Sequence, residues 1–157
     1  MKRQVHKIHK SLYCWVRKTN IITLPNYYIG QYEADLFSLT DKDLIIEYEI
    51  KISKSDYLAD FQKSHRQNGS TIFKHDLIKQ GGRCHRFYFV TPEGLVSKEE
   101  VPEYAGLIWH DGDSFKIVKK APIVGRFALG NEFFRSIAKS CSYREGNIRH
   151  KFSIRND

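Results

Sequence analysis

Apolar and polar positions alternate along residues 32–39 and again along 44–53, the two-residue period of a half-buried strand. The polar stretch Thr40-Asp41-Lys42-Asp43 between them reads as a turn. Upstream, Val5, Ile8, Leu12, Trp15 and Val16 recur at three- and four-residue spacing, which predicts an amphipathic helix over 3–18 with a basic outer face. Asn20 and the Pro25-Asn26 pair then punctuate the chain. Ser53 or Ser55 is placed to cap a helix running through residues 56–61. Residues 64–71 are polar and read as loop, and a short helix around 73–79 ends at Gly81-Gly82. Residues 86–90 are apolar on both faces, as an inner strand covered on both sides would be. Residues 106–110 and 115–118 flank Asp111-Gly112, a hairpin signal. A last helix at roughly 130–141 is expected to turn Phe133, Phe134 and Ile137 inward. The pattern implies an α/β fold, a mixed central β-sheet flanked by helices, in one domain over 1–157.

The second strand carries Glu47, Glu49 and Lys51 on one face and Tyr48, Ile50 and Ile52 on the other. If the two strands form a hairpin centred on Lys42, residues whose numbers sum to 84 lie opposite one another. Leu39 then faces Ile45, Phe37 faces Glu47, Asp35 faces Glu49 and Glu33 faces Lys51. Opposed Cβ atoms lie about 5 Å apart, so Asp35 and Glu49 repel unless something neutralises them. A divalent cation with hard oxygen ligands, Mg²⁺ above all, would do so. With Lys51 beside it, the set has the parts of a phosphodiester-hydrolysing site: Lewis acid, water and fixed cation. The plainer alternative is a solvated strand face with Glu33–Lys51 as a surface ion pair.

Charge adds a partner class. The chain carries a net +8, with six Lys/Arg and no acid in residues 1–18 and a net +4 in 121–157. Basic ends around an acidic middle suit a polyanion binder that holds a cation at its centre. The three cysteines, Cys14, Cys84 and Cys141, lack metal-site or disulfide spacing, and no apolar run reaches membrane-spanning length. A cytoplasmic location with no membrane partner is the resulting expectation.

Asp35 and the strand ending Glu49-Ile50-Lys51 resemble the restriction-endonuclease-like superfamily, whose motif is written PD-(D/E)XK. The blocks YEADLFSL (32–39), EYEIKISKSDYLADFQK (47–63), FKHD (73–76), RFYFVTPEGL (86–95) and VPEYAGLI (101–108) are similar to small prokaryotic and phage members. The resemblance covers roughly residues 20–125. It implies a restriction-endonuclease-like core, Mg²⁺ or Mn²⁺ as cofactor, and nucleic acid, usually DNA, as substrate in a prokaryotic or phage-infected cell. On that basis Asp35 and Glu49 are the metal ligands, with the Ile50 carbonyl as a backbone ligand, and Lys51 is the catalytic lysine. Ala34 stands where the motif has proline, and residues 1–19 lack the glutamate that several branches place on the first helix. Glu33 or Glu47 are the candidate substitutes.

Lys74 and His75 precede the inner strand and are candidate auxiliary residues for phosphate or proton transfer. Lys54, Lys63 and Lys74 are candidates for the nucleic-acid backbone. Asp56 and Asp60 read as capping or lysine-pairing residues, and Arg83, His85 and Arg86 as solvated. Trp15, Trp109, Tyr27 and Tyr28 read as core rather than base-stacking positions. His6 and His9 have no acidic or thiol companion nearby in sequence, so a metal role for them is set aside. The expected activity is metal-dependent DNA cleavage without sequence specificity, possible as a homodimer. The rivals are an inactive nuclease-fold DNA- or RNA-binding factor and an RNA-processing nuclease.

Overall fold

A computed structural model describes the backbone of residues 2–153 and the side chains of residues 5–147. It divides into two compact units, Met1–Phe127 and Ala128–Asp157. The second unit holds one helix, α4 (Asn131–Ser153), longer than the sequence pattern predicts. Within it Ile137 is buried, whereas Phe134 is exposed, against the expectation that both turn inward.

The first unit begins with α1 (Lys2–Val16), as the apolar spacing predicts. Six strands make one sheet: β1 (Ile22–Ile29), β2 (Tyr32–Leu39), β3 (Ile45–Ile50), β6 (Arg86–Pro92), β7 (Ala105–His110) and β8 (Phe115–Lys119), in that spatial order. β3, β6 and β7 run parallel; the other neighbours pair antiparallel, so the sheet is mixed. The β3-to-β6 crossover carries α2 (Lys54–Asp60), the β4–β5 hairpin (Ser64–Gln67, Ser70–Phe73) and α3 (Lys74–Lys79).

β1 is absent from the sequence reading because Pro25 interrupts it. Proline costs an edge strand little, since one row of its amides needs no partner, and β1 is an edge strand. The β4–β5 hairpin replaces the loop expected over 64–71. Its turn is Asn68-Gly69, both at positive φ (50° and 79°), the conformation that this dipeptide favours.

The sheet packs a core on each face. On one, Ile8, Leu12 and Val16 of α1 cover Leu36, Tyr48, Ile50, Tyr88, Val90 and Ile108. Each aliphatic side chain so buried contributes roughly 1.5–3 kcal/mol. On the other, Phe87 and Phe89 meet Tyr57 of α2 and His75 of α3, with Tyr57–Phe89 centroids 4.8 Å apart, and Phe37 packs on Tyr27 of β1. Glu47 and Glu49 lie on this second face, under α2 and α3, and have almost no exposure.

Candidate active site

The β2–β3 ladder has the predicted register from Leu39↔Ile45 to Leu36↔Tyr48. There it ends. In place of a further rung, the Asp35 carboxylate accepts the Ile50 N–H through Oδ2 at 2.7 Å. Asp35 is therefore pinned by a backbone amide beside the end of β3, one residue from both Glu49 and Lys51. Glu33 does not join them: it accepts from Asn26 Nδ2 at 2.7 Å, and the expected Glu33–Lys51 pair does not form.

The polar face of β3 is neither a solvated surface nor an open cleft. Lys51 Nζ bridges Glu49 Oε1 (2.9 Å) and Asp60 Oδ1 (2.8 Å). Lys63 Nζ bridges the same two oxygens at 2.6 and 2.7 Å. Lys74 Nζ donates to Glu49 Oε2 at 2.8 Å and lies 3.4 Å from Glu47. Asp60 Oδ2 meets His75 Nε2 at 2.8 Å, and His75 Nδ1 meets the Tyr104 hydroxyl at 3.0 Å. Helix α2 delivers Asp60 because Ser53 Oγ caps it, accepting the Asp56 N–H at 3.2 Å. Buried charges are tolerable only when paired in this way.

The pairing shifts the titrations in opposite directions. Burial pushes the Asp35 carboxyl up to about 6, and the negative charge of Glu49 adds to it, against the Ile50 amide, Lys51 and Lys63. Burial also raises Glu49, but Lys74, Lys51 and Lys63 outweigh it and hold that carboxyl below its usual value. Asp60 is likewise held low, its burial outweighed by His75, Lys74 and Lys51. Burial lowers Lys63 and Lys74, yet their carboxylate neighbours win and both ammoniums are strengthened. Among the described residues, Asp35 is the carboxylate of the group without an ammonium bonded to it.

Several expectations need correction. Lys74 is wholly buried, so it cannot lie against a nucleic-acid backbone; it is an interior counter-ion. Lys54 pairs with Glu100 at the surface, and Lys63 remains partly exposed while paired. Glu47 takes the fork of Arg83 at 2.6 and 2.9 Å, so it is a structural partner rather than a substitute ligand. Arg83 also donates to the carbonyls of Ile29 and Tyr32, tying the β1–β2 turn to β3. His85 is buried too: its Nδ1 accepts the Ile45 N–H, and its Nε2 donates to Phe127 O. Arg86 donates to Ala121 O. Asp60 does pair with lysines, as its spacing on α2 suggests.

The sequence gives no sign that α1 reaches this end of the sheet. His9 Nε2 lies 2.5 Å from Asp35 O, and His6, His9, Val5, Asn26, Asp35 and Ile50 line a cavity of about 320 Å³. His6 and His9 therefore share a cavity with Asp35, and His9 meets its main-chain carbonyl, brought there by packing rather than by sequence proximity. Among the described residues, no group of three or more His, Cys, Asp or Glu side chains is arranged to hold a metal ion. A second cavity of about 510 Å³, lined in part by Trp15, Thr40, Ile46 and Tyr88, lies at the opposite end of β2 and β3.

No protein-family model matches the chain, and no curated protein matches it. A solved structure does: the SPO1766 protein of unknown function from Silicibacter pomeroyi, with a TM-score of 0.66 at 18% identity. The match covers 90% of this chain and 88% of that one. The likeness is one of fold. No helix among the described residues is long and apolar enough to cross a membrane.

Proposed function

We propose that the chain is a Mg²⁺- or Mn²⁺-dependent nuclease with a restriction-endonuclease-like core, acting on DNA. The observation that carries this reading is the meeting of Asp35, Glu49 and Lys51 at one end of β2 and β3, with Asp35 fixed by the Ile50 amide. The order helix, three antiparallel strands, helix and parallel strand is what supports the fold-level part. The donor chemistry fits a hard divalent cation: two carboxylates from adjacent strands and the Ile50 carbonyl between Glu49 and Lys51. Burial first, and the negative charge of Glu49 after it, raise the Asp35 carboxyl, an environment that a bound cation would relieve.

When bound, the cation would supply Lewis acidity and an activated water for phosphodiester hydrolysis. Asp35 and Glu49 would hold it. Lys51, held by Glu49 and Asp60, keeps an ammonium in a fixed place where negative charge develops on the phosphate. His75 and Tyr104 fix Asp60 from behind, so their part is positioning.

The test is cleavage of supercoiled plasmid, linear duplex, single-stranded DNA and RNA in Mg²⁺, Mn²⁺ or EDTA. Wild type should cut in metal alone, and Lys51→Ala should lose roughly 100-fold or more of that rate. The substrate cut fastest decides between DNA and RNA processing. A second reading has its own support: both oxygens of Glu49 are engaged by ammonium groups, as in a scaffold that kept the charges without turnover. Tight nucleic-acid binding with every substrate left intact would favour that binding factor.

A further inference from the structure

The lysines around Glu49 are not equivalent, and the difference bears on how the site takes up a cation. Lys51 and Lys74 are interior, with side chains 4% and 0% exposed, whereas that of Lys63 is 42% exposed. Yet Lys63 reaches both Glu49 Oε1 and Asp60 Oδ1, duplicating the contacts of Lys51. Its backbone is fixed independently of its side chain: the Lys63 N–H donates to Asp60 O at 3.1 Å, and Lys63 O accepts the Lys74 N–H at 2.9 Å. The ammonium can therefore leave without disturbing α2 or α3.

Occupancy of the Glu49 carboxylate bears on which ammonium gives way. Both Glu49 oxygens are taken, Oε1 by Lys51 and Lys63 and Oε2 by Lys74, so a cation reaches Glu49 only where an ammonium gives way. Lys51 and Lys74 are almost wholly buried, whereas Lys63 is partly exposed and is the one free to swing outward.

Building on the nuclease reading, we propose that Lys63 is the resident counter-ion of the metal site, its ammonium neutralising Glu49 and Asp60 until a divalent cation replaces it. Lys63 then competes with the metal, and the site's affinity is set partly by this residue. A merely structural lysine would not do that, since its removal would loosen the ligands and weaken metal binding.

Free Mn²⁺ is titrated by electron paramagnetic resonance against the full chain, with wild type, Lys63→Met, Lys63→Arg and Asp35→Asn compared. Circular dichroism melts establish that each is folded, and Lys63→Gln takes the place of a methionine variant that is not. Lys63→Met should bind Mn²⁺ about ten-fold tighter than wild type, the coupling expected of two mutually exclusive ligands. Lys63→Arg should stay near wild type, and Asp35→Asn should bind far more weakly. Wild type that binds Mn²⁺ with Lys63→Met equal or weaker would overturn the inference and leave the metal site standing. No Mn²⁺ binding by wild type or by Lys63→Met would remove both.

Discussion

Lys74 and Lys54 both make ion pairs with a glutamate, and burial separates what the two pairs do. Lys74 is the buried partner of Glu49 and neighbour of Glu47, so Lys74→Met leaves interior carboxylates short of a cation. Urea unfolding should show a loss of about 3 kcal/mol. Lys54 and Glu100 meet in water, with side chains 42% and 45% exposed, and Lys54→Ala should cost under about 0.5 kcal/mol. Asp35 gives a pH-dependent counterpart. Its folded carboxyl, raised from 3.8 to about 6, binds protons that the unfolded chain has already released, so its contribution falls as pH rises from about 4 to about 6. Glu49 and Asp60 act in the opposite sense: their stabilisation is present above the ordinary carboxylate value near 4 and is lost on acidification below it. In EDTA, Asp35→Asn should therefore be more stable than wild type at pH 8, by at most about 3 kcal/mol, with the difference vanishing near pH 4. Wild type as stable as the variant at pH 8 would contradict this. At this scale the sequence made Asp35, Glu49 and Lys51 legible, because alternation alone assigns faces. It hid the companions Asp60, Lys63, Lys74 and Arg83, because their approach depends on how α2, α3 and the loop before β6 pack, which no local period records.

At the scale of elements, turn chemistry explains both success and failure. The register of β2 and β3 follows from a polar turn and two alternating strands, and the ladder obeys it until Asp35 substitutes a side-chain oxygen for a backbone rung. β1 was illegible because proline reads as a break until the strand is known to be an edge. The β4–β5 hairpin was legible in principle through Asn68-Gly69, but its strands are short and polar, with no apolar alternation to mark them. It is tied to β2 by Tyr32, whose hydroxyl donates to Ile72 O at 2.9 Å and meets His65 Nδ1 at 2.8 Å. Gly69 sits at φ +79° with open space around its Cα, so Gly69→Ala meets backbone strain and no clash. Thermal unfolding should register a loss of about 1 kcal/mol, with faster amide exchange confined to 64–73. Unchanged exchange there would mean that the turn does not hold the hairpin.

At the scale of the whole molecule, some lysines belong to the buried ion network and others lie at the surface beside α1. The network engages Lys63 and Lys74, whereas Lys7, Lys10 and Lys18 line the cavities beside α1. Composition raises a polyanion partner as an expectation, without saying which lysines would be available to it. Enzyme, binding factor and counter-ion exchange all turn on whether Asp35 and Glu49 share a divalent cation. The most direct measurement is thermal unfolding of wild type and Asp35→Asn with and without Mg²⁺ at neutral pH. Mg²⁺ at about 100 times its dissociation constant should add about 2.7 kcal/mol to wild type, a rise of about 5–10 °C in Tm, and nothing to Asp35→Asn. A wild-type Tm that Mg²⁺ leaves unmoved, or a shift that survives in Asp35→Asn, would contradict the account.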